Sequence, residues 1–187
     1  MDLGLTGRTA AVAGGSAGLG FATAQALAND GVRVVLCGRD AKRAADAATK
    51  IGHACVGIVA DVSTVSGGES FIAQATKILG QIDILILNSG GPPAGNFAST
   101  DIASYETALQ NGLMSMIAMT KLVVPAMQTR KWGRVVAITS VAVRQPIASL
   151  ILSNTVRAGL TGFLKTVSRE VAPDGVTVNT IQPGIHA

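Results

Sequence analysis

Six short runs are nearly unbroken in apolar residues: 8–13 (RTAAVA), 32–37 (VRVVLC), 54–60 (ACVGIVA), 82–87 (IDILIL), 134–139 (RVVAIT) and 176–181 (VTVNTI). A strand with one wet face alternates polar and apolar residues, whereas a strand covered on both faces reads as continuous. Between the runs lie Ala-rich stretches of helical length, at 18–29, 40–51, 66–79, 101–130 and 150–172. This β-α-β-α order predicts an α/β fold with a doubly wound parallel sheet. Right-handed crossovers then place helices on both faces.

Turn chemistry supports these boundaries. NDG at 29–31 and DG at 174–175 close helices before strands. Asp101 precedes a long apolar stretch and suits a helix cap. The segment SGGPPAGN at 89–96 reads as a loop at the C-terminal end of the fourth strand. Neither a repeat nor a linker interrupts the 187 residues, so a single domain over 1–187 is expected.

Composition agrees with a packed core. Hydrophobic residues make up 48% and charged residues 14%, enough burial to offset chain entropy. No apolar run approaches the ~18 residues of a membrane span. The opening MDLGLTGRTAAV lacks the basic and hydrophobic regions of a signal peptide. Cys37 and Cys55 sit in apolar stretches without CxxC spacing and read as buried free thiols of a reducing, cytoplasmic compartment. His53 and His186 are isolated, which gives no support to a metal site. The net charge of +4 comes from scattered cations, and with 3% aromatic residues it does not describe a nucleic-acid surface.

The first strand runs into AGGSAGLG at 13–20, with glycines at 14, 18 and 20. Glycines after a strand let backbone approach a pyrophosphate, and the following helix offers unpaired N–H groups and a positive dipole end. The turn predicts a Rossmann-like dinucleotide site. At the end of the second strand, an acidic residue would bond the ribose 2′-hydroxyl of NAD. Here Gly38 and Arg39 stand instead, in VVLCGRD. Gly38 leaves space and Arg39 offers a guanidinium fork for a 2′-phosphate, so NADP(H) is favoured over NAD(H). The other reading of Arg39 is a solvated cation. Asp40 reads as the start of the next helix. Asp61 and Asn88 follow the third and fourth strands, at the sheet edge where ligands bind in such folds. Asp61 suits an adenine amine. Asn88 suits either the site or a side-chain bond that fixes the GGPP turn.

AGGSAGLG, the Asp61–Val62 pair, LNSGG at 87–91, GRVVAITS at 133–140 and VTVNTIQPG at 176–184 occur in the order of the short-chain dehydrogenase/reductases. The chain resembles this family over essentially its whole length, and most of all the 3-oxoacyl-acyl-carrier-protein reductase-like branch. The resemblance implies that Gly14, Gly18 and Gly20, with Ser16 and Leu19 in the same loop, hold the pyrophosphate. It implies that Arg39 selects NADP and that Asp61 and Val62 meet the adenine. Asn88 and Gly90 match the turn on the adenosine ribose, and Pro183 and Gly184 the turn against the nicotinamide. Ser140 matches the serine that orients a substrate carbonyl. Family members commonly form homodimers or homotetramers through the helices matching 101–130 and 150–172.

The same alignment exposes two departures. The family uses a tyrosine followed four residues later by a lysine, a general acid with a tuned pKa. The only tyrosine, Tyr105, stands elsewhere, and the matching positions in SNTVRAGLTGF are Ser153 and Arg157. Arg157 keeps a charge for a ribose but cannot cycle a proton. Ser153 is a far weaker acid. The alternative is structural, with Ser153 bonded to its own helix and Arg157 to a nearby carbonyl or carboxylate. The helix asparagine of the family aligns near Gly112, and Asn111 is expected to point elsewhere. Arg144, four residues beyond Ser140, suits an anionic substrate group or plain solvation. The second departure is the ending at PGIHA, before the family's substrate-covering lobe. A missing C-terminal lobe is therefore expected, with an open edge on the sixth strand.

These readings converge on an NADP(H)-dependent oxidoreductase for a carbonyl or acyl-thioester substrate, acting through Ser140, Ser153 and Arg157. The alternative is an NADP(H)-binding protein with little catalysis, a sensor or subunit partner.

Overall fold

The computed structural model describes residues 3–184. Six strands, β1 (Thr9–Val12), β2 (Arg33–Gly38), β3 (Val56–Val59), β4 (Ile84–Leu87), β5 (Gly133–Ile138) and β6 (Val176–Ile181), form one sheet. Their order is β3-β2-β1-β4-β5-β6, and every pair is parallel. The doubly wound sheet expected from the apolar runs is therefore present. Its order reverses between β1 and β4, the place where an open α/β sheet leaves a crevice at its C-terminal edge.

Helices α1 (Gly18–Asn29) and α2 (Ala41–Ile51) cover one face. Their small residues Ala24, Ala28, Ala44 and Ala47 pack against Val12, Val34 and Leu36. Alanine at these positions lets the helices approach the sheet closely. The opposite face carries α3 (Val65–Leu79), α4 (Ile102–Leu109), α5 (Ser115–Thr129) and α6 (Ile151–Val171). Its core joins Phe71, Met116, Met119, Met127 and Leu164 to Leu85 and Val135. The methionines thus fill core space, as flexible thioethers suit an irregular gap.

The local signals hold at most boundaries. Asp40, Thr64 and Asp101 cap α2, α3 and α4 by accepting from Arg43 N, Gly67 N and Ser104 N. The stretch 101–130 is not one regular helix. Residues Gln110–Met114 form a π-turn between α4 and α5, and such a turn inserts a residue into the helical spacing. Of the two thiols, both free, Cys37 is buried and Cys55 is half-buried. His186 lies outside the described residues. No helix among the described residues is long and apolar enough to cross a membrane.

Candidate active site

A cleft of ≈ 420 Å³ opens at the C-terminal edge of the sheet, where β1, β2, β3 and β4 end. The glycine loop forms its floor. Gly14 has φ +57, which a side chain rarely adopts, and an added Cβ would meet Asn88 Nδ2 and O at 2.9 Å. A Cβ on Gly20 would run into the Gly14 carbonyl oxygen and come within 2.7 Å of Asn88 Nδ2. These two glycines therefore let the loop close onto β4. Asn88 locks it there by donating from Nδ2 to Gly14 O at 3.1 Å. Its side chain thus binds the opposite loop and leaves the GGPP turn to itself.

The N-terminus of α1 faces this cleft. Its cap residue, Ala17, provides no side-chain bond, in contrast to α2, α3 and α4. Unpaired amides and the positive dipole end of a twelve-residue helix suit an anion. A bare helix start and a loop into which no Cβ fits are the features a pyrophosphate needs. Gly14, Ser16 and Gly18 line the cleft. Leu19 does not, being exposed on the first turn of α1. Gly20 acts through packing, beneath the loop.

Arg39 lines the cleft as expected, and Arg43 joins it. Sequence reasoning missed Arg43. It lies three residues after the Asp40 cap, so the first turn of α2 brings it beside the end of β2. Gly38 lines the cleft beside Arg39 and also has a packing use. A Cβ there would meet Ser16 Cβ at 2.8 Å and clash with its hydroxyl, so the missing side chain seats Ser16. Asp61 and Val62 line the opposite wall. The Asp61 carboxylate accepts from Ser63 N at 3.1 Å. The hydrogen bond from Ser63, helped by the nearby Arg39 charge, holds its pKa below the usual carboxylate value. Val62 is buried, and its carbonyl accepts from Ser115 Oγ at 2.8 Å.

Asn111 is a correction. It lines the cleft together with Gly90 and Gly91, because the π-turn rotates it away from its regular helical position. With its amide nitrogen facing two carbonyl oxygens, it donates to Ser63 O at 2.6 Å and Thr107 O at 3.3 Å. Gly112 cannot carry an asparagine here. A Cβ on it would run into Val156 Cγ1 of α6.

At the β5 end, Ser140 caps a short 3₁₀ turn (Val141–Val143), its Oγ accepting from Ala142 N at 3.1 Å. Ser153 and Arg157 do share a face of α6, and Arg157 Nε donates to Ser153 Oγ at 3.2 Å. Arg157 Nη1 also donates to Ile138 O at 2.9 Å and Thr139 O at 3.0 Å. The guanidinium thus ties α6 to the end of β5. Burial lowers its pKa, and among the described residues no carboxylate pairs with it. Ser153 is 7% exposed and lines none of the cavities around the site. Arg157 reaches a small cavity of ≈ 20 Å³ shared with Asn88, Gly90 and Gly112. Pro183 and Gly184 lie beyond β6, outside the cleft walls. Pro183 O accepts from Val141 N at 3.0 Å. Tyr105 packs with Ala108, Leu152 and Val156, so it brings no phenol to Ser140.

The strand order, the crevice and the glycine loop define an open α/β protein of Rossmann type. Residues 8–187 match the family model described as short chain dehydrogenase, and the chain belongs to that family. It is 33% identical over 187 residues to acetoacetyl-CoA reductase of Cupriavidus necator, covering 98% of this chain and 76% of that protein. It is 31% identical over 185 residues to human mitochondrial dehydrogenase/reductase SDR family member 2, covering 97% of this chain. There it spans 66% of the relative's length. A solved L-sorbose reductase from Gluconobacter frateurii, complexed with NADPH and L-sorbose, superposes with a TM-score of 0.94 at 28% identity. That match covers 99% of this chain and 72% of the other.

Proposed function

We propose that the protein is an NADP(H)-dependent oxidoreductase acting on a carbonyl or alcohol, with an acyl thioester as the leading substrate class. The observation that carries the cofactor choice is the pair Arg39 and Arg43 on one wall of the cleft, with no acid at the end of β2. Gly14, Ser16, Gly18 and the α1 N-terminus would hold the pyrophosphate. Arg39 and Arg43 would hold the 2′-phosphate by charge-assisted bonds, and Asp61, Val62 and Asn111 would border the adenosine. Leu19, Pro183 and Gly184 keep family-derived roles toward the cofactor. The relatives support the substrate class and the cofactor in turn, since one is named for acetoacetyl-CoA and one was solved with NADPH.

A bound nicotinamide supplies or takes the hydride. The chain's own residues orient the substrate and manage the proton. Ser140 Oγ would donate to the carbonyl oxygen, and Arg157 would add a positive field beside the ribose. Ser153 and Arg157 take the tyrosine and lysine positions of the family. Neither delivers a proton, since a guanidinium holds its proton too tightly. Ser153 is a far weaker acid than a phenol, and it is buried and lines none of the cavities around the site. Protonation then falls to water or to a substrate group.

That buried serine also favours a second reading, an NADP(H)-binding protein with little turnover. Titration of NADPH and NADH by fluorescence, followed by assays with 3-oxoacyl thioesters, separates the two. Tight NADPH binding with turnover is the expected result. Binding without turnover selects the second reading, and no binding removes both. The exposed side chains of Ile102 on α4, Met114 on the π-turn and Leu122 on α5 support a homodimer or homotetramer.

A further inference from the structure

A second cavity, of ≈ 310 Å³, lies between the loop after β4 and helix α4. Pro92 and Pro93 line it from the loop, and Ala103, Ala108 and Leu152 from the helices. Ala108 and Leu152 are 4% and 2% exposed and belong to the small core where α4 meets α6. The cavity therefore reaches down to packed apolar side chains. Ligand pockets commonly measure about 300–1,000 Å³, with apolar walls and a few polar groups, and an aliphatic chain suits this one.

The cavity adjoins the candidate site on two sides. Gly90, Gly91 and Asn111 line both it and the cofactor cleft. Gly90, Pro92 and Gly112 line both it and the small cavity that Arg157 reaches. A Cβ on Gly90 would meet nothing within 4 Å, and one on Gly91 only Arg157 Nη2 at 4.0 Å. Neither glycine has a positive φ. Packing and backbone conformation thus leave both positions open to a side chain, whereas a ligand lying close against the backbone needs glycine. The amides of Gly90 and Gly91 have no hydrogen-bond partner among the described residues. The loop is held further along, with Gly95 N donating to Ser149 O at 2.8 Å and Gly95 O accepting from Ile151 N at 3.2 Å. Two N–H donors therefore stand at the junction for an acceptor on a ligand.

Charge narrows the ligand class. Asp101 is the one charged residue lining the cavity among the described residues. Hydrogen bonds from Ser104 hold its pKa below the usual carboxylate value, so it is ionised at neutral pH. Arg144, whose Nε donates to Gln182 Oε1 at 2.9 Å, lies outside the cavity. A neutral ligand avoids the Asp101 charge, and an anionic one does not. Ser140 does not line the cavity either, so the group held here is not the reacting carbonyl.

We propose that this cavity binds a neutral aliphatic chain carrying a carbonyl or amide oxygen. The chain is either a remote part of the substrate or a separate small molecule, and its chemistry is the same in both cases.

Hexanamide and hexanoate are suitable probes, titrated while the methyl resonances of Ala108 and Leu152 are followed by NMR. Hexanamide should shift both methyls saturably. Hexanoate should bind about 5-fold or more weakly, because it brings a like charge to Asp101. Ala103→Phe, at an exposed position of α4, should fill the cavity and weaken hexanamide about 10-fold while NADPH affinity stays unchanged. Gly91→Ala should also weaken hexanamide, with no loss of stability to urea. Absent methyl shifts, equal binding of the two probes, or hexanamide affinity unchanged in both variants would each overturn the inference. Displacement by thioesters identifies the source. If the chain is a substrate tail, 3-oxooctanoyl-CoA displaces hexanamide and acetoacetyl-CoA does not; if it is a separate molecule, neither does. The titration uses neither cofactor nor turnover, so absent NADPH binding would remove the oxidoreductase reading and leave this one standing.

Discussion

Asn88 reaches from the end of β4 to the glycine loop after β1 and donates to the carbonyl oxygen of Gly14 at 3.1 Å. This single bond crosses the point where the strand order reverses, and it holds the floor of the cleft shut. Asn88→Ala leaves that carbonyl without its donor and opens a gap beneath Gly20. The expected cost is about 1–3 kcal/mol of stability, read by urea denaturation, with a weakened NADPH affinity in the same variant. Unchanged affinity would show that the loop keeps its shape without the clamp.

Gly20→Ala tests the packing side of the same floor. Its Cβ has no room against Gly14 O and Asn88, so the loop must move. Dinucleotide affinity should fall at least 10-fold by calorimetry. Gly18→Ala makes a useful contrast, because no atom lies within 4 Å of its added Cβ and only its φ of +56 resists. It should cost about 1 kcal/mol of strain and bind NADPH better than Gly20→Ala.

The two cations on the β2 side give a cofactor test. Arg39→Ala and Arg43→Ala should each raise the Kd for NADPH about 10-fold or more and leave NADH nearly unchanged. Equal effects on both dinucleotides would assign these side chains to a shared part of the ligand.

Arg157 joins α6 to β5, so its replacement reports on both architecture and chemistry. Arg157→Ala strips donors from Ile138 O and Thr139 O and should cost about 1–3 kcal/mol. If Ser153 and Arg157 stand at the family's tyrosine and lysine positions, the double change Ser153→Tyr with Arg157→Lys places a phenol and an ammonium there, and carbonyl reduction should rise. An unchanged rate would place the proton path elsewhere.

Cys37 offers a pH test of the core behind the glycine loop. Burial pushes its thiol up to about 12 from an ordinary value of 9.0. The folded state therefore holds a proton that the unfolded chain gives up first. Its contribution to stability is complete below pH 9 and is lost as pH rises from 9 toward 12. Cys37→Ala should flatten the alkaline limb of a stability profile, and native Cys37 should resist alkylation at pH 8.

Runs such as VRVVLC and IDILIL mark strands because a sheet covered on both faces needs no polar side. AGGSAGLG and the caps Asp40 and Asp101 are equally local, since each acts within a few residues. The shape of the site was less legible. Arg43 carries no signal of its own until the first turn of α2 swings it beside Arg39. Asn111 was assigned the wrong direction because a π-turn cannot be counted from a regular helical period.

The sequence by itself determined the strand and helix order, the position of the glycine loop, and the four-residue spacing of Ser153 and Arg157. Tertiary structure alone decided what those residues touch. Asn88 finds Gly14 and Arg157 finds the end of β5 only when distant segments pack, because hydrogen bonds across 74 and 19 residues depend on the sheet that brings them together.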